Sequence, residues 1–468
     1  MSDTATADLR PTLDRLRTAW QRRRPDARQR LDDLARLRSA FKAGNDDMLR
    51  AIAADFGHRS VHESLVADSM TVLAEIDHLR RYLRGWMKPR RVGAGWKLWP
   101  ARALLRPEPV GVVGVMSPWN YPVNLALIPL ATAIAAGNHA YLKPSEHTPQ
   151  TSAWLQKLLT EVFPDDRVAV ALGGADVAAA FAALPFDHLL FTGSSQTGRL
   201  VMAAAAQNLC PVTLELGGKA PAVVCNDFPV RTAAERILYV KCLNAGQICT
   251  SVDHMYLPRK KVDAFVSHAR EIMPRRYPSL ESVDYTSVID ERSFRRLVGA
   301  LDDARERGVP VVPLIPGPAY DAATRKIAPH IVLNPPDDSQ LMQREIFGPI
   351  LPILPYDDLD AVIARINAGP RPLALYPFSR NDATVERLLT HVMSGGVSVN
   401  DALLHVGQHD LPFGGVGESG MGHYHGKEGF ETFSKLRPIF RQARWSSAKL
   451  LVPPYGRSIN RLLGFLMR

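Results

Sequence analysis

VGVVGVMSPWNYPVNLALIPLATAIAAGNHAYLKPSE, Val110–Glu146, decides the fold. Val110–Met116 is an unbroken apolar run, the pattern of a strand buried on both faces. A short loop, Ser117–Tyr121, leads into an apolar helix from about Pro122 to Ala136. A second strand, Ala140–Lys143, then ends in Pro-Ser-Glu. Strand, helix and strand of this length make a right-handed parallel crossover. The alternation continues through helix Pro149–Phe163, strand Val168–Leu172, a helix over about 176–184, strand His188–Phe191, helix Gln196–Asn208 and strand Val212–Leu216. Five such strands predict a parallel sheet with helices on both faces. Ligands bind such sheets beyond the carboxyl ends of the strands. The loops Ser117–Tyr121, Pro144–Glu146, Thr192–Gly198 and Glu215–Gly218 are therefore expected on one rim.

Upstream, residues 1 to about 90 read as helices, with Leu13, Leu16, Leu31, Leu34 and Leu37 at helical spacing among charges. Ser60-Val61-His62-Glu63 is a capping-box start for a helix reaching about Trp86. Residues 96–106 are read as a hairpin leaving the surface. Downstream, a second strand–helix alternation starts at Pro221–Val224, with apolar strands at Met255–Leu257, Val311–Leu314, Ile331–Leu333 and Ile350–Leu354. Met393–Asn400 is expected to return toward the first unit, and Thr432–Arg441 to form an edge strand. The fold class is thus α/β, with two doubly wound α/β domains and a small bridging hairpin. The expected division is 1–216 for the helices and the cofactor-binding domain, 217–398 for the catalytic domain, 399–444 for the return segment and 445–468 for a tail.

A chain of 468 residues exceeds one hydrophobic core. Its formal charge of +10 sits largely on arginines such as Arg22–Arg24 and Arg80, Arg81, Arg84, Arg90 and Arg91. No zinc-finger spacing or RNA-binding aromatic signature accompanies the charge, so solvated helix faces explain it better than nucleic acid. Four cysteines are not a disulfide framework and suit a reducing cytoplasm. The longest apolar stretch, about 123–136, contains a proline and falls short of the ~20 residues of a membrane span. In the tail, Ile459, Leu462, Leu463, Phe465, Leu466 and Met467 alternate with Arg457, Arg461 and Arg468. That pattern suits a weak membrane-surface helix or packing against the body or a partner subunit.

Two groups stand out chemically. Glu215 ends a buried strand, where a carboxylate is costly unless used or paired. It reads as a general base or as an ion pair with Lys219. Cys249 follows Asn244-Ala245-Gly246-Gln247-Ile248 after a helix, a junction that can lower a thiol pKa. It reads as a nucleophile, whereas Cys210, Cys225 and Cys242 read as inert core residues. Asn120, on a strand-end loop, offers an amide donor to polarise a carbonyl, or closes a turn. No G-x-G-x-x-G follows the first strand. Gly193-Ser194-Ser195-Gln196-Thr197-Gly198 instead opens a helix after a strand and suits a pyrophosphate. Lys143 and Glu146 can clamp a ribose diol or form a surface ion pair. His405 and His409 are spaced i, i+4 without a metal signature, so no metal is expected. His423 and His425 read as packing or hydrogen-bonding groups.

These residues together resemble the NAD(P)-dependent aldehyde dehydrogenases from about Leu31 to Arg441. The shared motifs are PWN at Pro118–Asn120, KPSE at Lys143–Glu146, FTGS at Phe191–Ser194, ELGGK at Glu215–Lys219, GQIC at Gly246–Cys249, EIFGP at Glu345–Pro349 and PFGG at Pro412–Gly415. DFGHRS at Asp55–Ser60 and GMGHYHG at Gly420–Gly426 resemble the class-3-like branch, and within it the bacterial coniferyl aldehyde dehydrogenases. The resemblance implies Cys249 as nucleophile, Glu215 as base, and Asn120 with the Cys249 N–H as oxyanion site. It implies Lys143, Glu146, Gly193, Ser194, Gly198, Leu216, Glu345 and Phe347 as cofactor contacts. NAD is the expected cofactor, with NADP as the alternative. It further implies a cytoplasmic homodimer acting on a hydrophobic, aromatic or cinnamyl-type aldehyde through a thioester. A coenzyme A-acylating enzyme and a catalytically silent cofactor-binding protein are the competing readings.

Overall fold

The computed structural model describes residues 3–95, 98–446 and 452–467. Its first sheet has six strands in the order Gly420–Met421, Val212–Glu215, His188–Thr192, Val112–Met116, His139–Lys143 and Val168–Val170. The five strands expected from the sequence are all present and mutually parallel. Only Gly420–Met421 runs antiparallel, at the edge against Leu214 and Glu215. Side-chain alternation divides the strands between two cores. Val113, Val115, Ala140, Leu142 and Leu190 pack with the largely apolar helix Asn124–Ala136 and with Leu34, Leu37, Ile76 and Leu79. Val112, Met116, Tyr141, Leu189 and Leu214 point the other way, against Leu9, Leu13, Leu16 and Phe181. The N-terminal helices Thr6–Arg22 and Ala27–Ala43 thus cover opposite faces of one sheet.

The second sheet has seven strands, in the order Val311–Pro313, His330–Leu333, Ile350–Tyr356, His254–Pro258, Pro221–Val224, Ala374–Phe378 and Gly396–Val397. All but Val311–Pro313 run parallel to their neighbours. Ala374–Phe378 is an interior strand that sequence reading missed. Pro377 argues against a strand, yet it pairs opposite Val223 with its flanking residues fully buried. Gly396–Val397 completes this second sheet, which corrects the expected return at Met393–Asn400; the chain rejoins the first sheet at Gly420–Met421.

The third sheet is a ribbon of Arg90–Val92, Arg102–Pro109 and Ser434–Arg441. The expected hairpin at 96–106 begins outside the described residues, at Trp96 and Lys97. From Arg102 the chain pairs backward with Arg90–Val92 and, over eight residues, with Ser434–Arg441. Among the described residues no helix is long and apolar enough to cross a membrane.

Candidate active site

The first three strand ends that matter lie side by side. Met116 leads into the Asn120 loop, Thr192 into Gly193-Ser194, and Glu215 is the last residue of its strand. Cys249 approaches from the second sheet, after helix Val230–Cys242 and the tight turn Leu243–Gly246. Asn120, Gly193, Ser194, Glu215, Cys249, Glu345 and Phe347 line one cavity of about 390 Å³, together with Trp119, Ser293, Arg296 and Arg344. Seven of the eleven expected site residues therefore share a wall.

The thiol-bearing loop is held by backbone and amide geometry. Asn244, Ala245 and Gly246 all take positive φ, at 52°, 51° and 73°. Such a run is stable only where the surroundings over-determine it. Gln247, fully buried, supplies the bracing: its amide donates to the Asn244 carbonyl at 2.9 Å and to the Ser287 carbonyl at 3.1 Å, and its oxygen accepts from Ile289 N at 3.0 Å. Glu63 adds a second brace. Its carboxylate accepts from Asn244 N at 3.1 Å and from Thr286 Oγ1 at 2.6 Å. The expected capping box is therefore only half formed. Ser60 Oγ accepts from Glu63 N at 3.4 Å, but Ser60 N donates to Thr286 Oγ1 and the Glu63 carboxylate is spent on the thiol loop.

Cys249 is half-buried, while Cys210, Cys225 and Cys242 are buried, and all four are free. Burial pushes the Cys249 thiol up to about 12, with Glu345 and Glu215 adding to the shift. This corrects the expectation of a lowered pKa, because the leading charges acting on the sulfur are negative. Burial likewise pushes Cys210, Cys225 and Cys242 up, to about 12, 11 and 12.

Glu215 is 2% exposed, and neither carboxylate oxygen has a hydrogen-bond partner. Burial raises its pKa well above the usual carboxylate range. The ion pair with Lys219 does not form. Lys219 Nζ lies 2.5 Å from Asp253 Oδ1 and also donates to the carbonyls of Leu341 and Arg344. Glu345 is a second buried carboxyl, pushed up to about 8 by burial and then by Asp253. It comes close to the Glu215 segment because residue 217 is glycine; a Cβ there would stand 2.2 Å from Glu345 Oε2.

Asn120 is anchored through its backbone. Its carbonyl accepts from Arg59 Nη1 at 2.7 Å and from Asn244 Nδ2 at 3.1 Å. Its side-chain Nδ2 donates one hydrogen to the Gln247 carbonyl at 3.1 Å, and the amide group carries a second. Arg59, fully buried, lies between the rings of Phe56 and Tyr121 at 4.8 Å from each and pairs with Asp68 at 3.2 Å. One buried guanidinium thus ties the Asn120 loop to the N-terminal helices.

The remaining four expected cofactor residues lie outside this cavity. Lys143 is buried, donating to Glu146 Oε2 at 3.2 Å and to the Pro144 carbonyl. Burial opposes ionisation of Glu146, but backbone hydrogen bonding and Lys143 prevail and lower its pKa. Glu146 lines a neighbouring cavity of about 350 Å³ with Ser145, Gln150, Gly173, Gly174 and Asp3. Leu216 packs on Gly198 of the helix Ser195–Ala206, where an added Cβ would stand 2.6 Å from Leu216 Cδ2. Gly193 N is committed to the Glu215 carbonyl at 3.0 Å, and Ser194 Oγ caps the helix by accepting from Thr197 N at 3.2 Å. An anion there would meet the helix N-terminus itself, whose first amides have no intrahelical partner.

The residues present fit a dinucleotide. Arg296 and Arg344 set two cations on the cavity wall, and burial, then Arg344, lowers Arg296 to about 10. Thr192 Oγ1 and Glu345 Oε1 are buried there without partners, as groups awaiting ribose hydroxyls would be. The histidines are engaged elsewhere. His405 Nδ1 bonds Ser398 Oγ at 2.8 Å and burial pushes it down to about 4; His409 Nδ1 pairs with Glu75 at 2.5 Å. Burial also pushes His425 down to about 4. Sequence reading missed Arg59, Glu63, Gln247, Arg296 and Arg344. Gln247 adjoins the thiol loop and Arg344 adjoins Glu345 in sequence, so both were within reach; Arg59 and Glu63 act across 61 and 181 residues.

The sequence pattern of the Aldehyde dehydrogenase family matches residues 11–439. A probable coniferyl aldehyde dehydrogenase of Pseudomonas aeruginosa is 48% identical over 440 residues, 94% of this chain and 92% of that protein. The substrate-bound AldH of Staphylococcus aureus superposes with a TM-score of 0.92 at 34% identity, covering 97% of this chain and 99% of that one. The Mycobacterium tuberculosis aldehyde dehydrogenase complexed with NAD+ gives 0.82 at 26% identity, covering 95% and 91%. The chain belongs to the aldehyde dehydrogenase family, and its chemistry is NAD(P)-dependent oxidation of an aldehyde through a cysteine intermediate.

Proposed function

We propose that Cys249 is the nucleophile, Glu215 the base and Asn120 the oxyanion donor in the oxidation of a hydrophobic, aromatic or cinnamyl-type aldehyde of the coniferyl kind to its acid. The observation that carries this reading is the buried, partnerless Glu215 carboxylate sharing a cavity with Cys249 and the Asn120 amide. The Cys249 thiol gives up its proton to solvent as its sulfur attacks the carbonyl carbon, which places negative charge on the aldehyde oxygen. The second Asn120 N–H is available to that oxygen, an interaction worth about 3 kcal/mol in comparable sites. NAD(P), when bound, supplies the hydride acceptor. Loss of hydride from the tetrahedral adduct leaves a thioester on Cys249. In its ionised form Glu215, whose burial raises its proton affinity, is a stronger base than a solvated carboxylate and takes a proton from the water that releases the acid.

Ser194 and the start of its helix, with Arg296 and Arg344, would hold the pyrophosphate. Glu345 and Phe347 would meet the nicotinamide ribose and ring, and Lys143 with Glu146 the adenine-side ribose. NAD is favoured over NADP because the ionised Glu146 repels a 2′-phosphate. Support for an apolar substrate comes from the cluster Tyr121, Leu125, Leu243 and Ile248, whose Tyr121 and Ile248 adjoin Asn120 and Cys249 in sequence. The Pseudomonas aeruginosa relative's name points the same way. The reading places the enzyme in the cytoplasm as a homodimer joined through the free edge of Ser434–Arg441.

The Glu215→Gln variant should accumulate acyl-enzyme, seen as an intact-mass increase with coniferyl aldehyde plus NAD. An unchanged thioester hydrolysis rate removes Glu215 as the base. Formation of acyl-CoA when coenzyme A is added would favour the acylating reading instead.

A further inference from the structure

Arg344, Glu345 and Phe347 line the cavity from a stretch of chain that belongs to no regular element. It lies between the short helix Gln340–Gln343 and the strand Ile350–Tyr356. Among the described residues no backbone–backbone hydrogen bond reaches Arg344–Phe347. Phe347 also takes a left-handed φ of 49°, which its surroundings must hold. The apolar anchor of the stretch is Ile346, buried in the core. Its main-chain polar anchors come from two side chains. Asp253 Oδ2 accepts from Ile346 N at 2.9 Å, and Lys219 Nζ donates to the carbonyls of Leu341 and Arg344, each at 2.9 Å.

These two side chains are paired with each other, Lys219 Nζ to Asp253 Oδ1 at 2.5 Å, and His254 Nδ1 stands 3.2 Å from the same oxygen. Burial opposes ionisation of Asp253, but Lys219 and then His254 prevail and hold its carboxyl below the usual range. Position along the chain gives the pair its reach. Lys219 stands four residues after Glu215 and Asp253 four after Cys249, and Asp253 N donates to the Ala220 carbonyl at 2.9 Å. One ion pair therefore joins the turn after Glu215, the segment after Cys249 and the cavity wall of Glu345 and Phe347. The Cys249 loop itself is braced separately, by Gln247 and Glu63.

We propose that Lys219 and Asp253 form a positioning pair that sets the Arg344–Phe347 wall against Cys249 for hydride transfer. This role rests on the proposed function, in which Glu345 and Phe347 meet the nicotinamide ribose and ring. Reacting atoms must approach to about 3–3.5 Å. The thiol loop and the wall come from distant segments, so the pair that links them sets this separation. Charge-assisted hydrogen bonds are short and directional enough to do so.

Lys219→Met and Asp253→Asn test the pair, with Lys219→Arg as the conservative rescue. With enzyme in excess over cinnamaldehyde and NAD saturating, both should slow single-turnover NADH formation about 100-fold, the cost of a displacement near 1 Å. The slowed step should show a primary deuterium effect with the 1-deuterated aldehyde. NAD binding, read by tryptophan fluorescence quenching, should weaken. In cofactor-free protein, hydrogen exchange over residues 344–347 should quicken in both, while iodoacetamide alkylates Cys249 at the parent rate. Lys219→Arg keeps the cation and should recover most of the lost rate. The Lys219 side chain is partly exposed, so if Asp253→Asn does not fold, the two Lys219 variants decide. Parent-like NADH formation in Lys219→Met overturns the proposal, as does unchanged exchange over residues 344–347. An equal loss of Cys249 alkylation marks general disruption and overturns it too. Turnover by Cys249→Ala is a separate failure, which removes the proposed nucleophile and this role with it.

Discussion

Gly246→Ala tests whether the backbone turn before Cys249 is what positions the thiol. Gly246 sits at φ +73°, and an added Cβ would lie 2.3 Å from the Gly348 oxygen, 2.6 Å from the Gly348 carbon and 2.8 Å from the Lys241 oxygen. All three are backbone atoms, so no rotamer change relieves the overlap. A left-handed alanine costs about 1–2 kcal/mol, and overpacking of this kind roughly 1–3 kcal/mol more. The sum, about 3 kcal/mol, should lower Tm by roughly 3 °C, since a chain of this length unfolds with an entropy of about 1 kcal/mol/K. The larger effect is on catalysis. The Cys249 loop and the Phe347–Gly348 wall must separate by about 1 Å, and a misplacement of that size costs about 100-fold in rate. The assay is kcat/KM with NAD and a cinnamyl aldehyde beside a thermal melt. Gly299→Ala is the control. It lies in the helix Glu291–Glu306 with nothing within 4 Å of the new Cβ, so it should keep kcat/KM and gain up to about 1 kcal/mol from helix propensity. Wild-type kcat/KM and Tm in Gly246→Ala would refute the reasoning.

Three further outcomes are expected. Cys249→Ala should lose all oxidation while NAD binding, followed by tryptophan fluorescence quenching, persists; residual turnover would move the nucleophile elsewhere. Asn120→Ala should lower kcat about 100- to 1,000-fold with a smaller change in KM, and a pure KM effect would remove it from the oxyanion site. Glu63 is held protonated by burial up to about pH 7. Because its folded pKa lies above the unfolded value near 4.5, its contribution is fully present below pH 4.5 and is lost as pH rises toward 7, by about 3 kcal/mol. Glu63→Gln removes that loss, so its Tm relative to wild type should rise between pH 5 and pH 8. A constant difference across that range would show that Glu63 does not titrate there.

The succession of the two sheets was legible in the chain because buried parallel strands are short apolar runs, and the fifth of them ends at Glu215. The strand Ala374–Phe378 was hidden by Pro377, whose cost to an interior strand is outweighed by complete burial of its neighbours. Edge pieces such as Gly420–Met421 were also hidden, since two residues carry no periodicity.

At the site, residue identities were readable and their physical states were not. Cys249, Glu215 and Asn120 stand in motifs whose order along the chain carries the resemblance on which their proposed roles rest. The thiol pKa, by contrast, reverses direction, because burial and two carboxylates outweigh any local junction effect. Glu215 could equally have paired with Lys219, four residues on; only the fold gives Lys219 to Asp253 and leaves Glu215 alone. Glu63 looks like half of a local capping box, yet it crosses 181 residues to hold Asn244 N. By itself, then, the sequence determined which chemical groups exist and where the long apolar strands lie along the chain. Tertiary structure decided which of those groups are paired, buried or free, because desolvation and charge depend on neighbours that distant segments supply.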